Sequence, residues 1–209
     1  MQCGLERVSF AYPAGDASRE APAPVLQDFS LALPETGSVC LFGPSGCGKT
    51  TVLRMLAGLE QPQEGRVLGM AARRVAVLFQ EDRLLPWCTV AENIALAVPS
   101  APRAQVLRSA EELLAAVGLP GMARRSPDAL SGGQRRRVAL ARALAFGGDV
   151  LLLDEPLREL DEETRAGLRT LILREVRGKL LVLVTHDLAE AGLLCERVVR
   201  LDGPPLRAV

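Results

Sequence analysis

Histidine is almost missing from this 209-residue chain: His186 is the only one. A histidine-rich metal site is thereby excluded. An excess of one charge is missing too, since 25 Lys and Arg residues balance 25 Asp and Glu residues. A nucleic-acid partner would favour a strong basic excess, so none is expected, although Arg135, Arg136 and Arg137 stand side by side. No apolar run approaches the roughly 20 residues that span a bilayer. The first residues include Glu6 and Arg7 and lack the apolar core of a signal peptide. These absences predict a cytoplasmic protein. Cys3, Cys40, Cys47, Cys88 and Cys195 form no CxxC pair, which argues against a zinc site or disulfide framework and for incidental thiols.

What is present is globular: 48% of residues are hydrophobic and 24% charged, in a chain long enough for one core with a smaller subdomain. Apolar runs at 38–42, 75–79, 150–154 and 180–185 are nearly continuous in Val and Leu. They read as strands of a parallel sheet covered on both faces. Helical patterns lie between them. A helix is predicted from Thr50 to Leu59, with Gly58 and Pro62 marking its end. Val106, Ala110, Leu113, Leu114 and Val117 form a stripe closed by Gly118, and Leu168, Leu171, Ile172 and Val176 another closed by Gly178. The stretch from about Glu81 to Gly148 shows helical patterns and no convincing strand, as a helical subdomain inserted into an α/β core would. Residues 13–24, rich in Ala and Pro, read as a loop.

The strongest chemical signal is Gly43-Pro44-Ser45-Gly46-Cys47-Gly48-Lys49-Thr50. It fits the phosphate-binding loop G-x-x-x-x-G-K-[ST], with a predicted strand before it and a helix after it. The glycines let backbone N–H groups turn inward toward phosphate oxygens, and the helix N-terminus adds positive partial charge. Lys49 would reach the terminal phosphates of a nucleotide, and the Thr50 hydroxyl would ligate Mg²⁺. Cys47, between two glycines and beside Lys49, is expected to favour its thiolate where exposed, so that alkylation there would crowd the nucleotide. A second element, Val150-Leu151-Leu152-Leu153-Asp154-Glu155, is a buried strand ending in two acids. Asp154 would hold Mg²⁺ through its water shell and Glu155 would polarise an attacking water. A third, Leu130-Ser131-Gly132-Gly133-Gln134, opens a helix with another glycine-rich turn able to bind an anion. One nucleotide needs one phosphate loop, so a second anion turn suggests nucleotides sandwiched between two chains.

With these three motifs, from about Leu5 to Leu201, the chain resembles the ATP-binding subunit of ABC transporters. The resemblance implies an α/β fold: a P-loop NTPase core with a mainly parallel sheet, an N-terminal antiparallel β portion and an inserted α-helical subdomain. It implies one domain over 1–209, with 1–81 and 149–209 as nucleotide-binding core and 82–148 as helical subdomain. ATP and Mg²⁺ are the implied cofactors. Catalytic roles fall to Glu155, His186 and Gln80, and metal contacts to Thr50, Gln80 and Asp154. Nucleotide contacts fall to the loop through Thr51, to Tyr12 as the aromatic on adenine, and to Ser131, Gly132, Gly133 and Gln134 against the γ-phosphate held by a partner's loop. The implied partners are a second copy in an ATP sandwich, an integral membrane permease and, indirectly, a solute-binding protein, at the cytoplasmic face of the inner membrane. Residues 79–87, Phe-Gln-Glu-Asp-Arg-Leu-Leu-Pro-Trp, resemble bacterial importers of nitrate, sulfonates and taurine. Leu84 to Trp87, apolar after a charged run, read as a docking patch for the permease.

Two departures stand out. The family places a small Ser-Ala pair before Leu-Asp, where this chain has Arg158-Glu159-Leu160-Asp161, so Glu159 adds a charge where two subunits should meet. The stretch from Glu60 to Val75 is also shorter than usual, which predicts a trimmed peripheral hairpin. The chain ends soon after Arg200, which predicts no appended regulatory domain. A chromosome or repair ATPase shares the third motif but carries long coiled coils, for which no heptad run exists here. A small-molecule kinase would not need Leu130 to Gln134.

Overall fold

Leu and Val recur without alternation at 150–153 and 180–184 because both faces of these strands are buried. The structure, a computed structural model, describes residues 3–13, 23–98 and 102–208. Nearly all of the expected loop at 13–24 lies outside the described residues. Successive side chains of a strand point to opposite faces. In β6 (Val150–Asp154) and β7 (Leu180–Thr185), Leu151, Leu153, Leu181 and Leu183 therefore pack into one core. Val150, Leu152, Leu180 and Val182 enter the other.

The main sheet has the order β5-β6-β7-β3-β8-β9, with β3 at Gly37–Phe42, β5 at Val75–Leu78, β8 at Arg197–Asp202 and β9 at Arg207–Ala208. Every pairing from β5 to β8 is parallel, and β9 closes the edge antiparallel. A second sheet, β2-β1-β4, is antiparallel and comes from the N-terminal third: β1 is Cys3–Phe10, β2 Leu26–Leu33 and β4 Glu64–Leu68. In β2, Leu26, Phe29, Leu31 and Leu33 are buried while Asp28, Ser30 and Ala32 face out, the pattern of a strand covered on one side.

Helix α1 (Lys49–Leu56) follows β3 and lies between the two sheets, where Val52, Met55 and Leu56 join the core shared with Leu5 and Leu31. It is shorter than the sequence pattern predicts. Its last residues instead form a capping turn: Gly58 adopts φ +73°, and Gly58 N and Leu59 N donate to Met55 O and Arg54 O. Between β5 and β6 run α2 (Val90–Ala95), α3 (Arg103–Ala116), a 3-10 turn at Pro127–Ala129 and α4 (Gly132–Phe146), with no strand among the described residues there. They pack on the face of the sheet that carries Leu151 and Leu183. After β6 come α5 (Glu162–Glu175) and, past β7, α6 (Leu188–Leu194). Among the described residues no helix is long and apolar enough to cross a membrane.

Leu152, with 0% exposure, sits at the centre of the second core. Leu152→Ala should cost about 2–5 kcal/mol in urea unfolding, whereas Leu193→Ala, on an exposed face of α6, should stay within about 0.5 kcal/mol of the parent. Equal costs would show that β6 is not the core strand described.

Candidate functional site

Four adjacent parallel strands end together. Leu78 lies opposite Leu153, Asp154 opposite Val184, and Phe42 opposite Thr185. The residues that follow each strand, Gln80, Glu155, His186 and the turn beginning at Gly43, are therefore delivered to one edge of the sheet. In open α/β sheets this carboxyl edge is where ligands bind.

The turn between β3 and α1 is built around an unfilled helix start. Gly46 and Gly48 take φ +82° and +112°, and a Cβ on Gly46 would meet nothing within 4 Å. Gly48 caps α1 without a side-chain hydrogen bond, so the first N–H groups of the helix are offered to the turn. By contrast α2, α4, α5 and α6 are capped by Thr89, Ser131, Asp161 and Asp187. Lys49 folds back into the turn, its Nζ donating to Gly43 O at 2.8 Å and Pro44 O at 2.6 Å. A buried ammonium with no carboxylate among these partners, set beside the partial positive charge of a helix start, is a strong anion attractor. Pro44, Ser45 and Gly46 are exposed. Cys47 points the other way: its side chain is fully buried in the core under the turn. The expectation of a reactive exposed thiol is corrected, because only the Cys47 backbone can face a ligand. Tyr12, 41% exposed, stands edge-on against Phe10 at 4.9 Å and hydrogen-bonds Thr51 across 3.2 Å, which brings it beside the start of α1.

Thr50 Oγ1 donates to Asp154 Oδ2 at 2.7 Å. Burial pushes the Asp154 carboxyl above the usual carboxylate range, and the Thr50 hydrogen bond pulls the other way. A hydroxyl and a carboxylate in contact fit Mg²⁺, which takes hard oxygen donors and fills much of its shell from phosphates and water. Among the described residues no group of three His, Cys, Asp or Glu could hold a metal by itself. Glu155 follows with a left-handed backbone, φ +48°, its N–H donating to Val184 O at 2.8 Å. Its Oε1 lies 3.0 Å from His186 Nδ1 and its Oε2 3.4 Å from Arg158 Nη1. Ser45, Gln80, Glu155, Arg158 and His186 share a cleft of about 330 Å³. Gln80 is exposed at its rim.

The turn at 131–133 is not part of that cleft. Ser131 Oγ accepts from Gln134 N at 3.2 Å and Gln134 Oε1 accepts from Ser131 N at 2.9 Å, a reciprocal cap on α4. Ser131 and Gly132 are exposed, and Gly132 lines an adjoining groove that shares Gln80, Glu155 and Glu159 with the cleft. One chain thus carries two glycine turns at helix starts that open to different places.

Comparison with known proteins agrees with this geometry. Residues 26–158 match the ABC transporter family model. The chain belongs to the ABC transporter family. Similar relatives include an aliphatic sulfonates import ATP-binding protein of Xanthomonas axonopodis pv. citri (strain 306), 47% identical over 196 residues that cover 90% of this chain and 66% of that protein. A taurine import ATP-binding protein of Pseudomonas aeruginosa is 43% identical over 196 residues, 88% of this chain and 74% of its own length. A dimeric ATP-binding cassette in a post-hydrolysis state, bound to ADP and Pi, superposes with a TM-score of 0.85 at 30% identity over 94% of this chain and 93% of that one. The chain therefore spans 66% and 74% of the lengths of these two relatives, and it is an ABC ATPase.

Sequence reasoning passed over one central residue of this ABC ATPase. Arg136, read only as part of a basic cluster, is buried and fans out from α4 under the site. It donates to the carbonyls of Phe79 and Gln80 after β5, to those of Asp154 and Glu155 at the end of β6, and to Asp82 Oδ1 at 3.1 Å. Arg165 and Glu190 were also missed. Both line the cleft, where Arg165 Nε and Glu190 Oε1 are buried without a hydrogen-bond partner. Thr185 Oγ1 donates to Glu190 Oε2 at 2.7 Å and accepts from Asp187 N at 3.1 Å, which holds the link bearing His186. Burial raises the Glu190 carboxyl. The only sequence signal for these residues was a charged side chain at a position the apolar pattern assigns to the inside.

Arg136→Ala would leave Asp82 and four carbonyls without their cation. It should lose about 3–5 kcal/mol of stability and most ATPase activity, read by denaturant unfolding and phosphate release. A loss below about 1 kcal/mol would mean that Arg136 does not tie the strand ends to α4.

Proposed function

We propose that this ABC ATPase couples ATP hydrolysis to the import of a small solute bearing an anionic sulfonate group, an aliphatic sulfonate or taurine, through a membrane permease. The carrying observation is the split between its two anion turns. The phosphate loop gathers with Glu155 and His186 at one cleft, while the Ser131 turn opens elsewhere. Two copies placed head to tail supply each cleft with the other's turn, as an isologous pair does. The dimeric cassettes among the structural relatives support that arrangement. The import names of the sequence relatives support the solute class.

In this reading the N–H groups of Gly43 and of residues 45–51, with Lys49, hold the phosphates at the 43–51 turn, and Tyr12 stacks on adenine. Thr50, Asp154 and Gln80 hold Mg²⁺, which neutralises charge on the terminal phosphate oxygens. Glu155 orients the attacking water and accepts its proton at a carboxylate oxygen. His186 holds Glu155 through Nδ1 and leaves its other nitrogen for the γ-phosphate. Ser131, Gly132, Gly133 and Gln134 meet the phosphate bound by the second copy. Residues 1–81 and 149–209 act as nucleotide-binding core and 82–148 as helical subdomain. The protein works at the cytoplasmic face of the inner membrane, and a solute-binding protein delivers to the permease.

Glu155→Gln should retain ATP and run as a dimer with ATP and Mg²⁺ in size exclusion, and adding Ser131→Arg should return it to a monomer. A dimer that forms equally well without ATP would overturn the sandwich.

The permease contact is assigned to Trp87. It is 78% exposed, on a loop fixed from below by the buried Asn93, whose side chain bonds Leu85 N and O, Cys88 O and Thr89 O. A rigid loop that presents a large aromatic ring to solvent suits a binding hot spot. Trp87 emission should be red-shifted in the free subunit and move to shorter wavelength with permease, and Trp87→Ala should spare ATPase activity but weaken assembly at least about tenfold. Unchanged emission and assembly would place the contact elsewhere.

A further inference from the structure

Arg158 and Glu159 stand where the family has small residues, and the fold gives both a partner. Arg158 Nη1 lies 3.4 Å from Glu155 Oε2, and Arg158 Nε lies 3.1 Å from Glu159 Oε1. The chain of polar contacts continues through Glu155 Oε1 to His186 Nδ1 at 3.0 Å. On its far side Glu159 reaches the second glycine turn: a Cβ on Gly132 would lie 3.6 Å from Glu159 Oε2. The backbone follows, since a Cβ on Gly133 would lie 3.0 Å from Leu160 Cδ2 and 3.3 Å from Glu159 O. Glu155 and Glu159 both take left-handed backbone angles, φ +48° and +61°, a conformation that is unfavourable for non-glycine residues and persists where surroundings enforce it. Arg158, Glu159, Glu155 and Gln80 line both the cleft and the groove, so this pair forms the wall between them.

We propose that Arg158 and Glu159 are positioning residues forming an internal clasp, which holds Glu155 in a resting orientation and keeps the Glu159 carboxylate beside the Gly132 turn until a second chain displaces it. The proposal rests on the sandwich reading for the role of that turn. Glu155 needs an oxygen free toward the attacking water, and Arg158 engages the oxygen that His186 leaves. The Glu159 carboxylate sits at the start of α4, where the partial positive charge favours an anion. It thereby competes with an incoming phosphate for the same helix end. Both side chains are largely exposed, so the clasp is weak and sensitive to salt, as a displaceable contact should be.

Two measurements on the 209-residue chain test it. In steady-state ATP hydrolysis, Arg158→Ala should raise kcat roughly three- to tenfold with KM little changed, and Arg158→Lys, which keeps the cation, should fall between. A kcat that falls, or a change in KM alone, would overturn the restraint on Glu155. In sedimentation with ATP and Mg²⁺, Glu155→Gln combined with Glu159→Gln should dimerise roughly three- to tenfold more tightly than Glu155→Gln alone at low salt, and the difference should shrink at high salt. Equal or weaker dimerisation would overturn the competition at the turn. If Glu155→Gln stays monomeric with ATP, the sandwich reading itself fails and the competition with it, while the kinetics still decide the restraint on Glu155.

Discussion

The parallel, in-register pairing of β3, β7, β6 and β5 is the constraint from which the site follows. None of Gly43, Gln80, Asp154 and His186 is near another in sequence. Each sits at the end of a strand or just past it, and the ladder fixes where those ends fall. The pairing is in turn held by burial on both faces: Leu152 and Val182 are pressed by α1 and the antiparallel sheet, Leu153 and Leu183 by the helices between β5 and β6. A one-residue slip of β6 would send Asp154 to the wrong face and exchange its two cores at once. Hydrophobic packing thus sets the alignment of polar groups to within hydrogen-bond distance.

Arg136 shows how the helical segment is bound to that edge. A guanidinium has five N–H donors in a fixed plane, and here they are spent on main-chain carbonyls from two strand ends and on Asp82. The acceptors are backbone, so the arrangement constrains position and does not depend on neighbouring side chains. α4 therefore carries a rigid strut at one end of its first turn and the Ser131 cap at the other. Whatever shifts Ser131 also acts, through Arg136, on the main chain of Glu155, the residue proposed to orient water.

The phosphate loop and the acid pair were legible because their chemistry is local: a glycine turn and a strand-end carboxylate are written in consecutive residues. The buried strands were legible for a related reason, since covering both faces leaves the middle of each run without charged residues. The antiparallel strands could be inferred only from the family resemblance. β1 carries register shifts and a left-handed Arg7, which break the alternation a strand would display. Arg136 was invisible because its five acceptors come from two other segments. The direction of Cys47 was likewise unreadable, since two left-handed glycines, not a residue pattern, turn it into the core.

The bare start of α1 has a thermodynamic meaning. A helix whose first amides lack a side-chain acceptor is incomplete, and the end nearest the glycines is the place where it should fray first. A phosphate group seated there would be chemically a cap, delivered from solution in place of Ser, Thr or Asp. Recognition and secondary-structure completion are then one event. Amides at the head of α1 should exchange their hydrogens slowly only when nucleotide is present, and the cell's nucleotide concentration becomes part of what folds this helix.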